Sequence, residues 1–337
     1  MLRYILRRIG LTLLMLLGVT VMVFLISHLV PSSPAAANLS QSALNDPEIV
    51  AAYEAKWGLD KPLWEQYLIY MKNLFQGDLG TSIRTGRPVM DELKQYFPAT
   101  IELSVFAMLF AVVFGVLFGV LSAVFRDKPG DQILRAVSVS GVSLPSFWFA
   151  LVMMSLFCRK LQWFPSGNRL DPRVFNPTGG TGFYIIDAIS WGDFQMLGDA
   201  LMHIILPAAV LGFFTMGLIT RQTRSNLLET MSSDYIRTAR SKGMKESRVV
   251  VHHALNNALI PVLTVSGMGF CNLLGGMVFV EQIFSWPGIG QYAYLAATNV
   301  DFPAICGVSL LIAATYVVIN LIIDILYGII DPRIRYQ

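Results

Sequence analysis

The chain has 337 residues, of which 54% are hydrophobic and only 14% charged, with a formal net charge of +3. Soluble domains carry about 25% charged residues, so this composition excludes an ordinary water-soluble globule and makes lipid the expected solvent. The net charge is too small to inform by itself; its distribution along the chain carries the information. Cys158, Cys271 and Cys306 all sit in apolar runs with no Cys-x-x-Cys neighbour, and read as small core residues.

Crossing bilayer hydrocarbon takes roughly 20 apolar helical residues, and helices satisfy their own backbone groups there. In chain order, residues 1–30 hold a basic tail with Arg3, Arg7 and Arg8, then a first span at 9–30. Its apolar core is longer than the 7–15 residues of a cleaved signal peptide, so it is expected to stay as an anchor. Residues 31–98 follow as an external amphipathic segment. EIVAAYEAKWGL and WEQYLIYMKNLF have helical spacing, punctuated by Pro47, Pro62 and Gly77, and predict small helices on the outer mouth. Two spans are expected at 99–124 and 136–158. Pro145 interrupts the second of these, four residues after Gly141, and predicts a kink. Gly141 and Pro145 are candidate pathway residues, with packing as the alternative. The segment 159–202, with NPTGGTGFY, reads as irregular, and a short span is expected at 203–220. A polar loop at 221–258 precedes spans at 259–284 and 304–330, and 331–337 is a tail. Gly267, Gly269, Gly275 and Gly276 in the fifth span favour close helix contact; Gly275 and Gly276 are also candidate gate positions.

Topology follows from Lys and Arg. With a cytoplasmic N-terminus, the inner segments 1–8, 125–135, 221–258 and 331–337 carry 15 of the 25 Lys and Arg. The longer outer segments carry the other 10. Both termini are therefore expected in the cytoplasm.

The loop at 221–258 holds DYIRTARSKG. Ser233 or Asp234 can N-cap a helix. Ile236, Ala239, Arg240 and Gly243 share one face, and that face is mostly small, where another surface can approach. Gly243 can end the helix in a left-handed turn. A second helical stretch is expected from Lys245 to Leu255, broken at Asn256 and Asn257, with Pro261 in the first turn of the fifth span. The segment reads either as a solvated interfacial helix pair or as a docking element for a soluble partner. Nucleic acid fits poorly, since Tyr235 is the loop's one aromatic residue.

DYIRTARSKG followed by HALNNALIP resembles the coupling loop of importer permeases of the ATP-binding cassette (ABC) class, in its dipeptide, oligopeptide and nickel version. The general pattern there is Glu-Ala-Ala, three residues, then Gly; here Arg237, Thr238 and Ala239 stand in those places, so one alanine is kept. GLDKPLWEQY (58–67), GDLGTSIRTGRPV (77–89), PATIELS (98–104), SLPSFW (143–148), EQIFSWPGIG (281–290) and NLIIDILYGIIDPRIR (320–335) extend the resemblance over nearly the whole chain. HLVPSSPA (28–35) departs from the family's Pro-Gly-Asp-Pro. The resemblance implies an all-α integral membrane protein with six transmembrane helices of the type I importer permease fold, and a core at 99–330. It implies docking to an ATPase through Tyr235, Ile236, Arg237, Thr238, Ala239, Arg240, Ser241, Lys242 and Gly243. The implied partners are a second permease subunit, two ATPase subunits that hold ATP and Mg, and an external solute-binding protein. The implied location is a bacterial inner membrane. The implied cargo is a di- or tripeptide, with longer peptides or nickel as alternatives.

The chain itself has no GxxxxGK[ST] phosphate loop, so no nucleotide cofactor or catalytic residue is assigned to it. Glu102, Glu281 and Asp324 lie in or beside spans, where ionisable groups are costly. Glu102 and Glu281 are expected to reach interfacial water or caps. Asp324 is expected to find Asn320 and Tyr327 on its own face. Adjacent His252 and His253 point about 100° apart on a helix, and no metal site is assigned. Two other function classes remain: an intramembrane serine protease, resting on SVSG (138–141) and His203, and a stand-alone secondary transporter, for which no inverted repeat of spans is visible.

Overall fold

The computed structural model describes residues 2–29, 39, 41–173 and 179–330, and among these the regular elements are all helical. They are α1 (Leu2–Leu29), α2 (Pro47–Trp57), α3 (Leu63–Phe75), α4 (Val89–Val124), α5 (Pro129–Ser143) and α6 (Ser146–Met153). Then come α7 (Tyr184–Trp191), α8 (Phe194–Met231), α9 (Asp234–Ser241), α10 (Leu255–Ile283), α11 (Ile289–Thr298) and α12 (Phe302–Ile330). Wider π-helical turns continue α6 through Met154–Lys160 and lead into α10 over Val249–Ala254.

Four helices, α1, α4, α8 and α12, are each long and apolar enough to cross a bilayer. Two bent pairs meet the same test together, so the count reaches six only if each pair is one span. The first pair, Pro129–Gly141 with Ser146–Lys160, turns through 112°. The kink expected in 136–158 is a full break between two helices. The cause is local: Pro145 cannot donate, and it holds Leu144 in extended backbone (φ −85°, ψ 139°) where a helix cannot continue. The second pair, Glu246–Leu259 with Pro261–Phe270, bends by 55°. Pro261 therefore lies inside a helix, not in its first turn, and Asn256 and Asn257 are helical rather than breakers. The expected short span at 203–220 is the middle of the 38-residue α8. Within 159–202 the chain forms α7, so that segment is not wholly irregular. The described residues omit 174–178, which include NPT.

By packing, the chain divides into two units. One comprises Met1–Thr100 and Pro287–Leu321. Its core joins Val89 and Leu93 of α4 to Ile289, Tyr292 and Ala296 of α11 and Ala304 and Val308 of α12. Tyr292 stacks on Tyr96 at 5.0 Å and donates its hydroxyl to the buried Glu92 at 2.6 Å. The buried Asp301 accepts from the Ser82 hydroxyl and the Arg84 N–H. Helix α2 has a full set of end signals: Asp46 caps Glu48 N, Pro47 opens the first turn, and Gly58 closes it at φ 63°. Helix α3 packs on α1 through Phe24 and Tyr67, whose rings meet edge to face at 5.4 Å. Burial alone would raise the Asp78 carboxyl, but bonds from Lys56 and the Gly80 N–H bring it below its ordinary range.

The other unit comprises Ile101–Trp286 and Ile322–Gln337, with α8 at its centre. Backbones approach closely here. A Cβ on Gly217 would meet the Ser138 carbonyl of α5 at 2.5 Å, and one on Gly212 would strike the Ala107 carbonyl of α4. Lipid offers no hydrophobic drive for helices to associate, so such small-residue contacts supply the dispersion that holds spans together.

Candidate functional site

Helix α9 is short, and it is held by one face. Ile236 is fully buried and Ala239 nearly so, in a core with Ala123 of α4, Leu227 of α8, Val249, Val250 and Ala254 of the π turn, and Ala258 of α10. Two polar ties add to this. Asn257 Nδ2 donates to the Tyr235 hydroxyl at 2.8 Å, and Arg240 donates twice to Glu246, at 3.1 and 2.6 Å. The small face expected to meet a partner is therefore turned to the chain's own core. Ile236 and Ala239 thus face inward, since small apolar residues at helical spacing serve a core as readily as an interface. Tyr235, Arg237, Thr238, Arg240, Ser241, Lys242 and Gly243 are exposed. Gly243 closes α9 at φ 74°, in the left-handed region. A Cβ placed on it would meet nothing within 4 Å, so the space outside this turn is open.

A buried carboxylate lies against the same helix ends. Asp131, in the first turn of α5, has no exposed surface. Arg224 of α8 donates to it through Nε at 3.0 Å and Nη2 at 2.8 Å. Ser122 of α4 donates at 2.5 Å, the Asp127 N–H at 3.1 Å, and Arg135 stands 3.5 Å away. Ser122 is the chain neighbour of Ala123, and Arg224 lies one turn before Leu227. The helix ends that carry the α9 core are thus the ones that grip α5, which leads to the break at Pro145. Sequence reasoning missed this pair: Arg224 counted only among the topology charges, and Asp131 was not singled out.

Near the middle of α8 and α10 lies a cavity of about 240 Å³. Gly141 and Ser146, from the two sides of the α5–α6 break, line it together with Thr215 of α8 and Gly269 and Asn272 of α10. Its remaining wall is leucine and phenylalanine. Thr215 is only 4% exposed. Of the candidate pathway residues, Gly141 lines this cavity, and Pro145 shapes it by breaking the helix. The surroundings of Gly275 and Gly276 lie outside the described residues.

The other singled-out groups have structural partners. Glu102 reaches a helix cap and not interfacial water: it is buried, pairs with buried Arg169 at 2.5 Å, and accepts from the Ile185 N–H in the first turn of α7 at 2.9 Å. Arg169 also donates to the Gly182 carbonyl and lies 3.8 Å over the Tyr184 ring. Glu281 is likewise fully buried. Asp324 is half-buried, and the Tyr327 side chain lies outside the described residues. Cys158 is buried and donates to the Pro165 carbonyl, Cys306 is half-buried, and the Cys271 side chain lies outside the described residues. Ser140 donates to the Val137 carbonyl, and His203 Nδ1 bonds the Asp199 carbonyl, so no described hydrogen bond joins that serine to that histidine. Among the described residues no group of three or more His, Cys, Asp or Glu is placed to hold a metal ion.

Comparison with known families agrees with this architecture. The family described as "Binding-protein-dependent transport system inner membrane component" matches residues 115–336, and its N-terminal companion matches 1–104. The chain is 45% identical to a dipeptide transport system permease protein of Alkalihalophilus pseudofirmus over 337 residues, covering 100% of each. It is 45% identical to a probable D,D-dipeptide transport system permease protein of Escherichia coli, over 95% of this chain and 94% of the relative. It is 39% identical to an oligopeptide transport system permease protein of Bacillus subtilis, over 99% of both.

Proposed function

Since the chain belongs to the binding-protein-dependent transport system inner membrane components, we propose that it forms half of the translocation path of an ABC importer for short peptides. Full-length identity to dipeptide permeases carries this reading. It is a multi-pass inner-membrane protein without chemistry of its own. A second permease subunit completes the path, two ATPase subunits bind ATP and Mg, and a solute-binding protein brings the peptide to the outer mouth. The N- and C-termini face the cytoplasm, with 31–98 outside.

The exposed face of α9, Tyr235, Arg237, Thr238, Arg240, Ser241, Lys242 and Gly243, docks in the ATPase. ATP-driven closure of the ATPase pair displaces α9. The buried face of α9 carries that displacement to α4, α8 and α10, and Asp131 extends it to α5. The spans then alternate between outward and inward access. The test is reconstitution of this chain with its second permease, ATPase pair and binding protein in liposomes. Uptake of radiolabelled dialanine is expected only with ATP and all components present. Uphill uptake by this chain alone would overturn the reading, and direct identification of the peptide carried by the binding protein sorts dipeptides from longer ones.

A further inference from the structure

The cavity beside the α5–α6 break has an unusual lining. Its wall is apolar and holds no charged residue, yet three neutral polar side chains reach it: Ser146, Thr215 and Asn272. None of the three makes a side-chain hydrogen bond to another described residue, although hydroxyls nearby, such as Ser138 and Ser140, bond carbonyls of their own helix. Thr215 matters most, because it is only 4% exposed and packs against Gly269 of α10. A hydroxyl that an otherwise buried residue presents to a cavity is open to a ligand's hydrogen bond.

The broken helix supplies a second kind of donor. Phe149 is the first residue of α6 whose N–H finds a carbonyl, that of Pro145. The N–H groups of Ser146, Phe147 and Trp148 precede the hydrogen-bonded ladder and have no acceptor within the helix. They sit at the positive end of a half-helix, and Ser146 lines the cavity. In membrane transporters, such interrupted helices place bare backbone groups where cargo passes. The volume, about 240 Å³, holds on the order of eight waters at liquid density. That is room for a short peptide segment.

We propose that this cavity reads the backbone of the passing peptide. Thr215 and Asn272 accept from its amide N–H and donate to its carbonyls, and the open end of α6 donates to a carbonyl oxygen. The proposal rests on the reading of the chain as a peptide permease and deepens it. A neutral lining suits cargo whose side chains vary but whose amide does not. Neutral groups also let go: a path must bind well enough to admit its cargo and weakly enough to release it.

The test compares dialanine with its ester analogue alanyl-lactate, in which oxygen replaces the amide N–H. The full complex in proteoliposomes is given binding protein saturated with one ligand or the other, so every variant meets the same loaded protein. Wild type is expected to move dialanine in preference. The double variant Thr215→Val, Asn272→Leu is expected to lose dialanine transport by about tenfold, the scale of one or two hydrogen bonds. It should lower alanyl-lactate transport less, because the ester keeps a carbonyl but has no N–H to lose, so the preference for dialanine narrows. Thr215→Ser keeps the hydroxyl and should keep the preference. If the double variant fails to assemble, Thr215→Val alone, which conserves shape, is expected to narrow the preference about threefold. An unchanged ratio in assembled variants overturns the assignment. If wild type moves neither ligand with ATP, it is the permease reading that fails.

Discussion

The Arg224 guanidinium grips both carboxylate oxygens of Asp131, one turn of α8 away from the residue that packs under α9. Paired, hydrogen-bonded charges of this kind contribute little net stability, but breaking one side is expensive. Arg224→Gln leaves a fully buried carboxylate with only the more distant Arg135, at 3.5 Å, and is expected to cost about 3 kcal/mol. Asp131→Asn should cost less, because Arg224 is partly exposed and can find water. The double variant Asp131→Asn, Arg224→Gln should recover part of the loss, since the two act as a unit. Thermal melts of the detergent-solubilised complex check this; additive losses would count against the pairing.

The exposed cations of α9 should matter to assembly and not to folding. Arg237 is 79% exposed, and its ion pair with Asp234 at 3.5 Å is worth little. Arg237→Glu with Lys242→Glu is expected to leave the melting temperature unchanged while reducing the amount of ATPase that copurifies. Retained copurification would show that docking does not use this face.

Gly243 separates two explanations of one phenotype. Its positive φ makes a side chain strained, by roughly 1–2 kcal/mol for most residues and less for Asn. The space around it is open within this chain. Gly243→Asn should therefore fold normally, and any loss of peptide uptake it causes reports clearance against the ATPase. Gly243→Asp is expected to uncouple ATP hydrolysis from uptake while the protein stays in the membrane. Wild-type uptake by both variants would remove this turn from the interface.

Gly269 is spaced tightly against Thr215: a Cβ there would lie 2.6 Å from Thr215 Cγ2. Gly269→Ala is expected to push α10 from α8, at an overpacking cost of about 1–3 kcal/mol, and to lower uptake. Gly10, whose Cβ would meet nothing within 4 Å, provides the matched control.

Glu102 and Arg169 form a structural pair, since every described bond they make holds α7 and its preceding loop to α4. Glu102→Gln is expected to lower the melting temperature without changing how uptake depends on pH. A displaced pH profile would instead implicate the carboxylate in proton coupling.

Much of this was legible in one sequence. The deficit of charge and the length of the apolar runs set an all-helical membrane protein, and Pro47 marked the start of α2, although Asp46 and Gly58, which cap its two ends, were not singled out. Gly243 announced its turn by local chemistry. The inward face of α9 was not legible, because Ile236 and Ala239 carry the same pattern whether a core or a partner covers them. Nor was the Asp131–Arg224 pair, whose members stand 93 residues apart; a charge at a span end looks alike whether it faces water or a carboxylate. The 112° turn was foreseen as a kink only. Pro145 signals a break, but its angle is decided by where α5 and α6 find packing.

Helix α8 places Thr215 on the cavity and Leu227 under α9, twelve residues and therefore about 18 Å apart on one continuous rod. Such a rod cannot carry influence in a single direction. If nucleotide closure at the inner end changes the affinity of the middle for cargo, cargo in the middle must change the affinity of the inner end for the closed ATPase by the same factor. The occupied path would then summon its own power stroke, and an empty one would leave the fuel unspent.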